Sequence, residues 1–179
     1  MPRGRKAKPL ETAAETYDCA LNLMSFRDHS HKELSQKLTR RGAKKEQVEE
    51  SLEKLEEYGI LNDERYAQRV YEAWLAKRVY GRQHLQAELS KRGVPQVYYA
   101  QILEQLTEAM EAQRAELAAE QFCKLNRKKI AQAMASSEPK DKQRLYAAAG
   151  RYLAARGFGG GYMELVLEKL KAAAQEEEN

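Results

Sequence analysis

The sequence predicts an all-α protein of three tandem three-helix repeats, stacked into an elongated, curved array. Three observations carry that expectation. Turn residues are scarce: 179 residues include 10 Gly and 4 Pro, too few for a sandwich or barrel with its many tight turns. Apolar residues recur at helical spacing, with no sustained alternation. One segment also recurs. Ser30 to Gly42 reappears as Gly81 to Gly93, matching Leu34 with Leu85, Leu38 with Leu89, Arg41 with Arg92 and Gly42 with Gly93. A weaker third copy ends Leu153-Ala-Ala-Arg-Gly157.

The positions beyond each glycine repeat as well. Val48, Tyr99 and Met163 lie at one offset, Leu52, Leu103 and Leu167 at the next, and Leu55, Leu106 and Leu170 at a third. Those offsets fall on one face of a helix. In the first copy, Thr12 can cap a helix running to about Phe26, with Ala13, Tyr17, Ala20, Leu21 and Met24 on one stripe. Ser30-His-Lys-Glu33 reads as a capping box opening the second helix, and Gly42 as its left-handed C-terminal cap. A third helix carries Val48, Leu52 and Leu55 and stops at Gly59. Asn62-Asp63 can cap the next helix, which holds Tyr66, Val70 and Trp74, and Pro95 suits the first turn of the second copy's third helix. In the third copy a long helix runs from about Ala112 to Met134. Ser136 to Pro139 interrupts it, Asp141 is a candidate cap, and a Gly157–Gly161 turn leads into a last helix from Tyr162 to about Ala174. The expected organisation is a flexible basic arm (1–11), repeats at 12–62, 63–110 and 111–174, and an acidic tail (175–179). A unit of this size buries too little surface to be very stable alone, so neighbours should stack.

Hydrophobic residues make up 42% of the chain, which argues against wholesale disorder. No apolar run approaches the roughly 18 residues of a membrane span, and no signal-peptide core is visible. The net charge of +4 is unevenly spread. Arg3, Arg5, Lys6 and Lys8 make the arm basic; residues 11–63 carry 8 bases against 12 acids, and residues 111–175 carry 12 bases against 7 acids. Glu176-Glu-Glu178 then reverses the sign. Such polarity permits a polyanionic partner without requiring one. Cys19 and Cys123 belong to no CxxC or Cys/His cluster, so they read as small core hydrophobes of a reduced, cytoplasmic protein.

Enzyme and cofactor motifs do not occur: there is no GxxxxGK[ST], no GxGxxG behind a strand, no HExxH and no GxSxG. The 157–161 glycine cluster reads as a helix–helix turn. His29, His31 and His84 lack acidic or cysteine partners at ligand spacing and read as solvated loop and helix positions. Glu46, Glu49, Glu50, Glu53, Glu56 and Glu57 spread around one amphipathic helix as a solvated face, or as an acidic surface for a basic partner. Among the bases, Lys77, Arg78, Arg82, Lys91 and Arg92 bracket the second copy's middle helix. Arg127, Lys128 and Lys129 stand together, and Arg144, Arg151 and Arg156 lie beyond them. Tyr71, Trp74, Tyr80, Tyr98 and Tyr99 lie near the first group. Arginine with aromatic residues suits a phosphate backbone or a protein groove; the alternative is an idle basic helix surface.

Three stretches together resemble the RecX regulatory proteins: Ala20 to Leu38 (ALNLMSFRDHSHKELSQKL), Tyr58 to Ala67 (YGILNDERYA) and Tyr80 to Val94 (YGRQHLQAELSKRGV). The likeness is strong over about 12–106 and weak over about 112–172. It departs at Asn62, where the family shows an acidic pair with Asp63, and at Ala148-Ala149, which replace a Glu-Leu pair. The resemblance implies a non-enzymatic, cofactor-free, monomeric and cytoplasmic bacterial modulator of the RecA recombinase. Such a protein lies in the deep groove of the RecA–DNA filament, inhibits ATP hydrolysis, strand exchange and co-protease activity, and favours disassembly. Arg78, Arg82, Lys91, Arg92, Arg127, Lys128 and Arg151 are the expected contact residues. The alternative is a helix-turn-helix-like regulator acting directly on DNA, with the basic arm reaching a groove.

Overall fold

The computed structural model describes residues 9–175, which contain nine α-helices, two 3-10 turns and no strand. The helices are α1 (Ala13–Phe26), α2 (His31–Arg40), α3 (Lys45–Glu57), α4 (Asp63–Lys77), α5 (Arg82–Lys91), α6 (Ala100–Glu104), α7 (Glu108–Ala135), α8 (Pro139–Ala155) and α9 (Met163–Gln175). The 3-10 turns are Gln96–Tyr98 and Gly160–Tyr162. The chain divides into two compact units, one of described residues 9–70 and Leu89–Gln101, the other of Tyr71–Glu88 and 102–175. The basic residues at 3, 5, 6 and 8 and the acidic residues 176–178 lie outside the described residues.

In the first unit, α1 to α3 enclose Cys19, Ala20, Leu34, Leu38, Val48, Leu52 and Leu55, all buried. The Thr12 side chain accepts the Glu15 N–H while the Glu15 carboxylate accepts the Thr12 N–H, a complete capping box for α1. The buried face of that helix centres on Thr16, Cys19 and Ala20, whereas Tyr17 and Leu21 of the expected stripe are half-buried. At α2 only half of the expected box forms. Ser30 accepts the Glu33 N–H, but the Glu33 carboxylate turns away to pair with the Arg27 guanidinium, a stronger charge-assisted partner than a backbone N–H. Leu10 falls inside the arm expected to be flexible, yet it is buried. Its N–H donates to the Arg41 carbonyl at 2.9 Å, and Gln47 donates to the Glu11 carbonyl at 2.9 Å.

The second unit is organised by α7, which packs on α8 and α9. Ala115, Ala118, Ala119 and Ala149 let these helices approach closely around Phe122, Ile130, Leu153, Val166 and Leu170. Asn126 has non-helical torsions (φ −123°, ψ 19°) and kinks α7, its side chain donating to the Phe122 carbonyl at 2.9 Å. Asp141 does not cap α8. Glu138 holds that position with Pro139 in the first turn, and Asp141 accepts the Ser136 hydroxyl at 2.7 Å.

The repeated glycines behave alike, Gly42, Gly93 and Gly157 all lying at positive φ after the second helix of their copy. The segments beyond them differ. In the first copy α3 is α-helical throughout, and Leu52 is buried at the expected position. In the other two copies a 3-10 turn comes first, and Pro95 opens that turn rather than a continuous helix. Ile102 and Val166 are buried, at 6% and 1% exposure, while Leu103 and Leu167 of the expected stripe are half-exposed. Ser51, at the matching position of the first copy, is buried as well, and Leu106 and Leu170 are buried as expected.

Candidate interaction surface

The seven basic positions expected at a contact surface separate into two groups. Arg82 and Arg92 serve their own units. The Arg82 guanidinium donates to the Leu106 carbonyl, and the Arg82 backbone N–H donates to both oxygens of Glu111 at 2.9 and 3.0 Å. Arg92 donates to the Tyr66 hydroxyl at 2.8 Å and lies over that ring, while its carbonyl accepts the Ser30 hydroxyl. Arg78, Lys91, Arg127, Lys128 and Arg151 are exposed, and their side chains make no hydrogen bond or ion pair among the described residues. Among the described residues Arg78 is also the non-glycine residue at positive φ (54°), just past the end of α4.

The free cations concentrate on the second unit. Lys124, Arg127, Lys128 and Lys129 project from α7 around the Asn126 kink. Two grooves border them. One, of about 360 Å³, is lined by Phe122, Asn126, Lys129, Gln132, Asp141 and Arg144 among others, between α7 and α8. The other, of about 520 Å³, lies between α7 and α9 and is lined by Cys123, Lys124, Arg127, Ala172 and Ala173, with Glu120 and Lys169 at one end. Hydrogen bonds from Lys169 to Glu116 (2.6 Å) and Glu120 (2.9 Å) hold that ammonium above the ordinary lysine value. Lys169 is thus neutralised locally, whereas Lys124 and Arg127 are not.

The first unit presents a different face. All six glutamates of α3 are exposed, as a solvated acidic face requires. A groove of about 670 Å³ there is lined by His31, Lys32, Glu56, Asp63, Glu64 and Tyr98 among others. His29 is not the solvated residue expected from sequence: it is 2% exposed. Its Nδ1–H donates to the Arg27 carbonyl at 2.8 Å, and Lys37 donates to Nε2 at 2.8 Å. Burial, first, and the neighbouring Arg27 and Lys37 charges push its imidazole below the ordinary histidine value, against the Arg27 carbonyl and Glu33.

Arg114 was not among the expected residues, yet it is 7% exposed and organises the second unit. Its guanidinium stacks 3.7 Å over Trp74 and donates to the carbonyls of Trp74 (2.9 Å), Leu75 (3.4 Å) and Tyr80 (2.8 Å), closing the last turn of α4. A sequence signal existed, because Arg114 shares a stripe with Ala118 and Phe122 and so faces inward. Trp74, Tyr71 and Tyr99 are buried as well, so these aromatics build cores and leave Tyr98 exposed. Cys19 and Cys123 are buried thiols outside any disulfide, and no metal-ligating group of three or more His, Cys, Asp or Glu occurs among the described residues. No described helix is long and apolar enough to cross a membrane.

The architecture and this distribution of charge define an all-α repeat protein with an acidic helix face on its first unit and exposed, unpaired cations on the helices of its second. Comparison with known proteins narrows the class. A family model described as "RecX, first three-helix domain" matches residues 17–55. The regulatory protein RecX of Pseudomonas fluorescens (strain SBW25) is 35% identical over 85 residues, covering 48% of this chain and 54% of that protein. That of Stenotrophomonas maltophilia (strain K279a) is 38% identical over 94 residues, covering 52% and 56%. The chain thus spans about half the length of the curated relatives it matches. In fold, it superposes on the crystal structure of RecX from Lactobacillus salivarius with a TM-score of 0.67 at 19% identity, covering 89% of this chain and 97% of that one. A second crystal structure of a regulatory protein RecX gives a TM-score of 0.69 at 20% identity, covering 87% and 73%. The chain is thus similar to RecX regulatory proteins in sequence over about half its length, and in fold over most of it.

Proposed function

We propose that this chain is a non-enzymatic regulator of the RecA recombinase. It binds in the groove of the RecA–DNA filament and inhibits ATP hydrolysis, strand exchange and co-protease activity. In this reading it acts in the cytoplasm as a monomer and tempers recombination, DNA repair and the SOS response. The observation that carries the reading is the set of unpaired, exposed cations on α7 and α8 of a chain similar to RecX proteins, with Arg127, Lys128 and Arg151 at its centre. Many modest contacts along a repeating filament add up to useful avidity without a single deep pocket. Arg78 and Lys91 are further contact candidates, whereas Arg82 and Arg92 act through packing.

The test is a dose series of the protein on RecA–single-stranded DNA filaments, read by ATPase rate. Wild type should inhibit, and Arg127→Glu with Lys128→Glu should weaken inhibition at least tenfold while melting stays unchanged. Unchanged filament ATPase at saturating wild-type protein would remove the reading. A helix-turn-helix-like DNA binder would instead bind naked duplex tightly, with log affinity falling about 0.9 per phosphate contact against log salt. Binding to bare DNA weaker than to the filament sets the two readings apart.

A further inference from the structure

The groove between α7 and α8 joins an apolar lining to a cationic edge. Phe122, Ala133, Leu145 and Ala148 supply the lining, and Lys129 and Arg144 supply the edge. Ala148 makes the room: counted back from Gly42, Gly93 and Gly157, the first two copies carry Glu33 and His84 at that position. Leu125, 69% exposed, lies three residues from Phe122 and four from Lys129, so it adjoins the groove along the same face of α7. Lys129 makes no hydrogen bond or ion pair among the described residues. Arg151, seven residues beyond Arg144, extends the cationic edge along α8. The acid that lines the groove, Asp141, is already engaged by the Ser136 hydroxyl at 2.7 Å and by Arg144 at 3.6 Å.

We propose that the α7–α8 groove is a docking seat for an acidic segment of a protein partner, one that carries a large apolar side chain between its carboxylates. The apolar side chain enters the groove, of about 360 Å³, beside Phe122 and Leu145 and covers Leu125. The carboxylates pair with Lys129, Arg144 and Arg151 around it, a charged rim on an apolar centre. A nucleic-acid backbone satisfies those cations but leaves Leu125 and the lining in water. Phe122 offers a base no free ring face either, being 5% exposed with Tyr152 packed edge-on at 5.1 Å. As a contact with the filament, the seat rests on the function proposed above; its peptide test needs no filament, so the two fail separately.

The experiment is fluorescence anisotropy of the full chain with three labelled probes. They are a glutamate-rich peptide with central leucine and phenylalanine, the same peptide with both changed to serine, and a single-stranded oligothymidine of equal charge. The apolar acidic peptide should bind about tenfold more tightly than its serine counterpart, since burying a leucine-sized side chain is worth at least that factor. Leu125→Ser, which removes the apolar edge, and Ala148→Leu, which fills the groove, should each abolish that preference. Lys129→Gln with Arg144→Gln should weaken both peptides while melting stays unchanged. Absence of peptide binding, or equal affinity for the two peptides, overturns the proposal. So does an apolar preference that survives both Leu125→Ser and Ala148→Leu, because the site then lies elsewhere. Oligothymidine binding tighter than either peptide and lost in Lys129→Gln with Arg144→Gln gives the face to a phosphate backbone instead. Self-association that Leu125→Ser abolishes puts a second copy in the groove, and overturns the proposal too.

Discussion

The carboxylate of Asp63 accepts the backbone N–H of His31 at 2.8 Å, so the first residue of α4 caps the start of α2. The second unit repeats the device, with Glu111 of α7 accepting the N–H of Arg82 at the start of α5. His31 and Arg82 hold the same position in the repeat, counted back from Gly42 and Gly93. In each case an acid from the following copy's first helix satisfies an orphan donor of the preceding copy's second helix. Burial is the main influence on Asp63 and pushes its carboxyl above the usual value, against the pull of the His31 N–H.

Asp63→Ala and Glu111→Ala should each cost about 1 kcal/mol of stability, the usual range for a lost cap. Asp63→Asn should cost less than Asp63→Ala, because the amide oxygen can still accept the N–H and no buried charge remains. Urea unfolding midpoints of the three variants check this ordering.

Gly157 tests close approach. Its φ is +81°, and an added Cβ would lie 2.2 Å from the His84 backbone nitrogen. Gly157→Ala should therefore destabilise by about 3 kcal/mol or more, since a backbone atom must move. Gly160→Ala meets nothing within 4 Å and should change stability by less than about 0.5 kcal/mol. Parallel thermal melts of the two variants give the contrast.

His29 makes stability depend on pH. Its imidazole titrates lower in the fold than in the unfolded chain, mainly through burial, and the same holds for His84. On acidification the unfolded chain takes up protons first, so stability should fall as the pH drops below about 6.5. The contribution is fully present above that value and is lost as pH descends toward the folded values. His29→Gln should flatten part of this slope, measured as unfolding free energy over a pH series. An unchanged slope would exclude His29 as its source.

Arg78 and Arg114 should respond in opposite directions. Arg78→Gly relieves a left-handed backbone and should stabilise by about 0.5–1 kcal/mol; under the proposed function it should also weaken filament inhibition. Arg114→Met strands the Trp74 and Leu75 carbonyls in the last turn of α4 and the Tyr80 carbonyl beyond it, and should destabilise by about 2–4 kcal/mol. Denaturation curves read beside filament ATPase assays separate the two roles.

Much of this was legible in the chain itself, for local reasons. Thr12, Ser30 and Asn62 cap the helices they precede through hydrogen bonds spanning three residues, and such bonds depend on little beyond those residues. The glycines at 42, 93 and 157 mark the left-handed stops because other residues are strained there. The repeat itself is written in Leu34, Leu38, Leu85 and Leu89, each 0% exposed, whose spacing matches one helical face. Cationic residues were the hard part. Arg82, Arg92, Arg127 and Lys128 look alike in sequence, yet the first two bind a carbonyl, a hydroxyl and a ring and the last two face solvent.

Helix positions, stops and the buried stripe are thus set by interactions within a few residues along the chain, which composition and spacing express directly. Which cations stay exposed and unpaired, and that Ile102 and Val166 lie inside while Leu103 and Leu167 are half-exposed, depends on groups brought together only by packing. Tertiary structure decided those points, because a long, flexible guanidinium or ammonium takes its role from the acceptors that folding places within its reach.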